Sequence, residues 1–221
     1  LAGVAALVVA FLTVIEIVSF IIFPPPNTID GWFILFQSNP IIGVLDIWGL
    51  EFLMYVMFSI VFLALYFAVR NVNKSAMVIA LTSAFLGIAV FFATNNPFSM
   101  FSLSNQFAAA ATEAHRSALL AAGEAILVNT NQRAVGGFNL GLFLVSIAGL
   151  ITSSVMIRAS SFSRFTACLG ILAFGMSLAD YLRQVFTSAV LTALLVIVPG
   201  ALLLVLWFVL VGIKLSRLGR L

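Results

Sequence analysis

Glu16, Asp46, Glu51 and Glu124 are the residues on which chemistry would rest, because each stands inside or beside a long apolar run in a chain with only seven acidic and ten basic residues. An ionisable side chain in hydrocarbon is costly, so each is a functional candidate by default. Carboxylates gathered out of water share protons, and such a group would form a proton or cation site. The same acids would act as fasteners if Arg116, Arg133 or Arg183 pairs with them. A third arrangement keeps one acid protonated against a backbone carbonyl. Glu16 lies seven residues before the end of the first apolar run and Glu51 eleven after the start of the second. At 1.5 Å per residue both fall roughly 10 to 17 Å below the same surface. Asp46 stands about one and a half turns above Glu51, and Glu124, Arg133 and Asp180 belong to the same half of the chain's topology.

Other chemistries find fewer residues. There is one histidine, His115, and one cysteine, Cys168. A lone imidazole with scattered carboxylates makes a poor zinc set and a weak haem site, so no metal and no cofactor is expected. Ser153, Ser154, Ser160, Ser161 and Ser163 stand in no nucleophile-elbow pattern and have no base close in sequence. They read as turn and packing residues, and no enzyme is expected. Asp180 and Arg183, three apart on one helix, are placed to satisfy each other.

The elements that must position the acids follow from composition. Of the 221 residues 63% are apolar and 8% charged, against about a quarter charged in soluble domains, and the mean hydropathy is +1.24. Apolar runs recur that are long enough to cross roughly 30 Å of hydrocarbon as helices. The reading is all-α, one integral membrane domain over 1–221, with spans at about 1–23, 40–69, 75–93, 137–157, 163–183 and 188–213. The first run ends in Pro24, Pro25 and Pro26 instead of a small-residue cleavage site, which favours a retained span. Residues 27–39 read as a polar loop with Trp32 at the membrane interface. Asn39 is a good N-cap, and Pro40 suits the first helical position.

Between the third and fourth spans, 103–128 reads as one long helix on the outer side. Gln106, Glu113, Ser117 and Glu124 draw a polar stripe along it. Gly137 and Gly141 form a GxxxG that lets a neighbouring helix come close, within the chain or in a dimer. Pro199 and Gly200 predict a kink in the last span. Seven bases (Arg70, Lys74, Arg158, Arg164, Lys214, Arg217 and Arg220) fall on one side of this topology and three on the other, which places both termini in the cytoplasm. Basic residues at helix ends report orientation, so the net charge of +3 does not call for nucleic acid.

Several stretches together form a pattern: NPIIGVLDIWGLE at 39–51, LLAAGEA at 119–125, the span 141–157 ending in Arg158, FSRFTACLGILA at 162–173 and LVGIKLSRLGR at 210–220. It resembles the bacterial and archaeal membrane proteins grouped as domain of unknown function 4386. The resemblance runs from the second span to the end and takes in Glu51 and Glu124. It implies a prokaryotic multi-span membrane fold and no established activity, so no catalytic residue is carried over. A polar insertion around 129–133 and an aromatic-rich first loop depart from that pattern. The leading expectation is a non-enzymatic subunit or scaffold of a cytoplasmic-membrane complex, in contact with lipids and with other membrane subunits or a second copy. The alternative is a small transporter or channel, proton-coupled or for a small molecule, working through the intramembrane carboxylates.

Overall fold

The computed structural model describes residues 1–22, 24–129, 139–186 and 190–219, and among them all regular structure is α-helical. Helix α1 (Ala2–Ile22) ends before the triple proline, where missing amide hydrogens stop the ladder. The expected loop that follows is a helix, α2 (Ile29–Ser38), started by Thr28, whose hydroxyl accepts from the Gly31 amide at 3.2 Å. Ile29, Trp32, Phe33 and Phe36 recur at i, i+3, i+4 and i+7, one face of a helix. Trp32 is therefore fully buried instead of lying at an interface.

Helix α3 (Pro40–Trp48) begins as its sequence signals indicate, with Pro40 at the first position and the Asn39 side chain accepting from Ile42 N at 3.2 Å. The expected continuous span 40–69 is then interrupted. Gly49 takes φ +41°, ψ −140°, and helix α4 (Glu51–Val69) starts afresh. Glu51 thus heads a helix instead of sitting inside one.

Helix α5 (Lys74–Thr94) is capped by Asn73, and α6 (Pro97–Ala109) by Asn96 ahead of Pro97. The expected single helix 103–128 is two: Ala110 turns extended, and Thr112 caps α7 (Glu113–Asn129) by accepting from His115 N at 3.3 Å. Gln106 lies on one helix and Glu113, Ser117 and Glu124 on the other, so the polar stripe is not continuous. Helix α8 (Leu140–Met156) is capped by Asn139, α9 (Arg164–Phe186) runs on through Asp180 and Arg183, and α10 (Val190–Leu218) stays helical through Pro199.

Six of these helices close a ring in which each packs on the next, in the order α1, α4, α5, α8, α9, α10 and back to α1. Their buried apolar side chains form one core. The chain links α1 to α4 and α5 to α8 at the same end of the ring, and α2, α3, α6 and α7 gather there into a cap. The cap has its own core of Trp32, Phe33, Phe36, Ile47, Met100 and Leu127. Glycines allow the tightest crossings. A methyl on Gly87 of α5 would lie 2.6 Å from the Gly141 carbonyl oxygen of α8, a backbone approach open only to small residues. Gly137 lies outside the described residues.

Five segments are long and apolar enough to cross a membrane: Ala2–Ser19, Pro40–Val69, Lys74–Ala109, Arg164–Arg183 and Leu195–Leu218, with Leu140–Met156 a shorter apolar helix. The outside of the ring exposes Phe11, Phe67, Phe165, Leu172, Leu195 and Leu202, a surface that lipid solvates and water does not. Arg70, Lys74, Arg158, Arg164, Lys214 and Arg217 all lie at the end of the ring opposite the cap.

Candidate functional site

Two helices adjacent in the ring, α1 and α4, bring Glu16 and Glu51 together, close enough for each charge to act on the other. The break at Gly49 makes this possible. It lets α4 point down the ring while α3 turns aside onto α2 and α6. Glu51 then stands about 27 Å along the axis from Val69 at the other end of α4, at the capped end of the bundle.

A cavity of about 720 Å³ opens between the end of α1, α2 and the α3–α4 corner; Glu16, Asp46 and Glu51 lie on its wall. A second cavity, of about 240 Å³, lies inside the ring among α1, α4, α8, α9 and α10. Its lining includes Thr13, Tyr55, Ser177, Asp180 and Tyr181. The two cavities share two residues, Glu16 and Glu51. One oxygen of Glu51, Oε2, is fully buried and meets no hydrogen-bond partner. Four residues on, one turn along α4, Tyr55 is 2% exposed and stacks on Phe91 with ring centroids 3.7 Å apart. Its hydroxyl has Asn139 as an electrostatic neighbour but makes no hydrogen bond of good geometry.

Two of the three bases that would fasten these acids are engaged elsewhere. Arg183 Nε donates to Asp180 Oδ1 at 2.7 Å within α9. Arg116 holds its guanidinium 5.5 Å from the centre of the Phe107 ring, in the cap. Arg133 lies outside the described residues, as does most of the polar insertion at 129–133. Among the described residues no base pairs with Glu16 or Glu51. Glu124 sits on α7 in the cap and lines neither cavity. His115 is exposed, and among the described residues no group of three or more His, Cys, Asp or Glu is placed to hold a metal ion.

Phe58, on the wall of the inner cavity, leads into an aromatic cluster of the ring core. Phe58 stacks on Phe208 at 5.6 Å, and Trp207 meets both Phe174 and Phe208 edge-on at 4.9 Å. The hydroxyls of Thr152 and Ser153 and the Trp207 indole nitrogen are buried without hydrogen-bond partners. Gly170 gives Trp207 and Ser153 the room to converge, since a Cβ there would collide with both.

Sequence reasoning reached Glu16, Asp46, Glu51 and Asp180 but missed Tyr55, Tyr181 and Thr13. The i, i+4 spacing of Glu51 and Tyr55 was the available signal, because it sets both on one face of a helix. Chemically, the site is a pair of carboxylates between two spaces large enough for water or a small ligand, with phenols beside it. A pair of carboxylates is chemically able to take up and release a proton or a cation. Compared with protein-family models, curated proteins and solved structures, the chain matches none, so the comparisons show no family for it.

Proposed function

We propose that the protein is a small carrier or channel of the cytoplasmic membrane that moves protons, or a small molecule coupled to protons, past Glu16 and Glu51. The observation that carries this reading is the sharing of those two carboxylates by the two cavities. A purely structural acid pair would be expected against a base or packed tight, because an uncompensated charge in the interior is strongly destabilising. In this reading the six ring helices all span the bilayer, including Leu140–Met156, whose 17 residues extend about 26 Å. The bases at the uncapped end support a cytoplasmic position for that end and for both termini. The aromatic cluster beyond Phe58 lies between the inner cavity and that side.

The test is proton flux into liposomes containing the purified chain under an imposed pH gradient. Glu51→Gln and Glu16→Gln should each slow flux about tenfold or more, a barrier increase of at least ~1.4 kcal/mol, while elution as a folded particle is unchanged. Gradient-driven flux no greater than that of empty liposomes would end the proposal.

A second reading, a subunit or scaffold of a membrane complex, is favoured by the apolar side chains the cap exposes: Ile41 is 71% exposed, Ile34 64% and Phe98 58%. Gentle extraction followed by intact-particle mass decides it. A fixed set of companion proteins supports this reading, and a particle of this chain and lipid alone removes it.

A further inference from the structure

The larger cavity is too big and too apolar for protons alone. Its volume of about 720 Å³ falls within the roughly 300–1,000 Å³ of small-molecule sites. Its walls are chiefly Ile15, Leu35, Ile42, Leu45, Ile47 and Leu50, together with prolines. The ionisable groups among its described lining residues are three carboxylates and no base. An anion would be repelled by Glu16 and Glu51, and a neutral apolar molecule would leave that pair dry and unanswered. A small inorganic cation needs several oxygen ligands converging at about 2.0 to 2.6 Å, and among the described residues no three His, Cys, Asp or Glu are grouped closely enough to hold a metal ion. The chemistry that fits is a cation carried on an apolar body.

Two further observations point the same way. Glu51, on the wall of this cavity, keeps a buried oxygen, Oε2, for which the described residues offer no hydrogen-bond partner, so the fold itself does not answer this carboxylate. The lip of the cavity is apolar as well: Ile22, Leu45 and Ile42 line it while being 60%, 57% and 44% exposed on the protein surface. A lipophilic molecule dissolved in the bilayer would meet this lip before it met water.

The geometry points to a lipophilic organic cation, an amine or quaternary ammonium with an apolar body, as the ligand of the larger cavity. Its charge rests against Glu16 and Glu51 and its body against α1, α2 and α3. The assignment rests on the transport reading of the same two acids and names what is transported. Arrival of the cation displaces a proton: a carboxylic acid gives its proton to water and the carboxylate left behind pairs with the cation. The titratable and charged groups facing the pair are Asp46 on α3, Tyr55 on α4, and Asp180, Tyr181 and Arg183 on α9.

The experiment measures binding of radiolabelled tetraphenylphosphonium to the full chain in phosphatidylcholine nanodiscs, with tetraphenylborate as an anion of the same shape. Saturable binding of the phosphonium alone is expected. It should weaken about tenfold or more in Glu51→Gln, and likewise in Leu45→Trp, which fills the cavity and leaves every acid in place. The second variant carries the test if the first does not fold. Phosphonium binding no greater than to empty nanodiscs, equal binding of the two ions, or binding unchanged in both variants would overturn the assignment, the last two indicating a lipid-like site. Proton flux on the same preparation separates the two proposals. Flux that depends on Glu51 without phosphonium binding removes the organic cation and keeps transport; binding without flux, in the presence as in the absence of phosphonium, keeps the cation site and removes transport.

Discussion

Gly49→Ala tests the feature that makes the site, the break between α3 and α4. Gly49 holds φ +41°, ψ −140°, and an added Cβ would lie 2.7 Å from the Leu45 carbonyl oxygen. A residue with a side chain in such a region costs about 1–3 kcal/mol. The competing arrangement is a helix running straight from 40 to 69, and there alanine gains about 1 kcal/mol over glycine. The substitution therefore shifts the balance toward the straight form by about 2–4 kcal/mol, roughly 30- to several-hundred-fold. Straightening would carry Ile42, Leu45, Asp46 and Ile47 away from the larger cavity. Spin labels at Ile41 and Phe67, both exposed, read the change in a background with the exposed Cys168 changed to serine. A straight helix sets those two α-carbons about 39 Å apart, and a bent one brings them closer. The strain must emerge as a longer distance or, if α3 stays held against α2 and α6, as a lower melting temperature. An unchanged distance together with unchanged stability would refute the reasoning.

Other substitutions test the packing that supports the site. Gly87→Ala puts a methyl 2.6 Å from the Gly141 carbonyl oxygen, whereas Gly175→Ala on α9 meets nothing within 4 Å. The first should lose about 1–2 kcal/mol, an overpacking cost less the helix gain, and the second should gain about 0.5–1 kcal/mol; melting in detergent should move them in opposite directions. Trp32→Ala removes the largest side chain of the cap core at a cost of about 3–5 kcal/mol. Hydrogen exchange should then quicken in α2, α6 and α7 and stay slow in α5 and α8.

How much of this was legible depends on which signals are local. Asn39–Pro40 announces a helix start because an N-cap acceptor and a missing amide hydrogen act within one turn; Asn96–Pro97 carries the same signal but reads first as the stop of the third span, which it also is. The apolar runs announce α1, α4, α5 and α10 because hydropathy is summed over many residues. The break at Gly49 was hidden, since one glycine in an apolar run of 30 residues hardly changes that sum. The α6–α7 break was hidden for the same reason: alanines at 108–111 extend helix propensity across it, and only Thr112 marks a new start. Residues 27–39 misled in the opposite sense. Asn27, Thr28, Asp30 and Gln37 read as a loop, while the i, i+3, i+4, i+7 set from Ile29 to Phe36 already described the buried face of α2. The pairing of Glu16 with Glu51 was legible only as similar depth. That α1 and α4 are neighbours is a property of the closed ring, which no local signal encodes.

The inner cavity also contains its own control for deciding what the acids are for. Asp180 is bonded to Arg183 at 2.7 Å, with side chains 12% and 11% exposed, while Glu51 in the same cavity keeps a buried oxygen without a hydrogen-bond partner. A carboxylate retained for stability should be like Asp180, since breaking a buried pair typically costs about 3–5 kcal/mol. One retained for function should be like Glu51, a group whose desolvation the fold tolerates and whose removal relieves it. Asp180→Asn should accordingly lower the melting temperature. Glu51→Gln, which keeps the shape and sheds the charge, should raise it or leave it unchanged while flux is lost. Measured side by side in one detergent, the two variants separate the roles. A Glu51→Gln protein that melts as early as Asp180→Asn would place Glu51 among the structural acids and withdraw the site from both proposals.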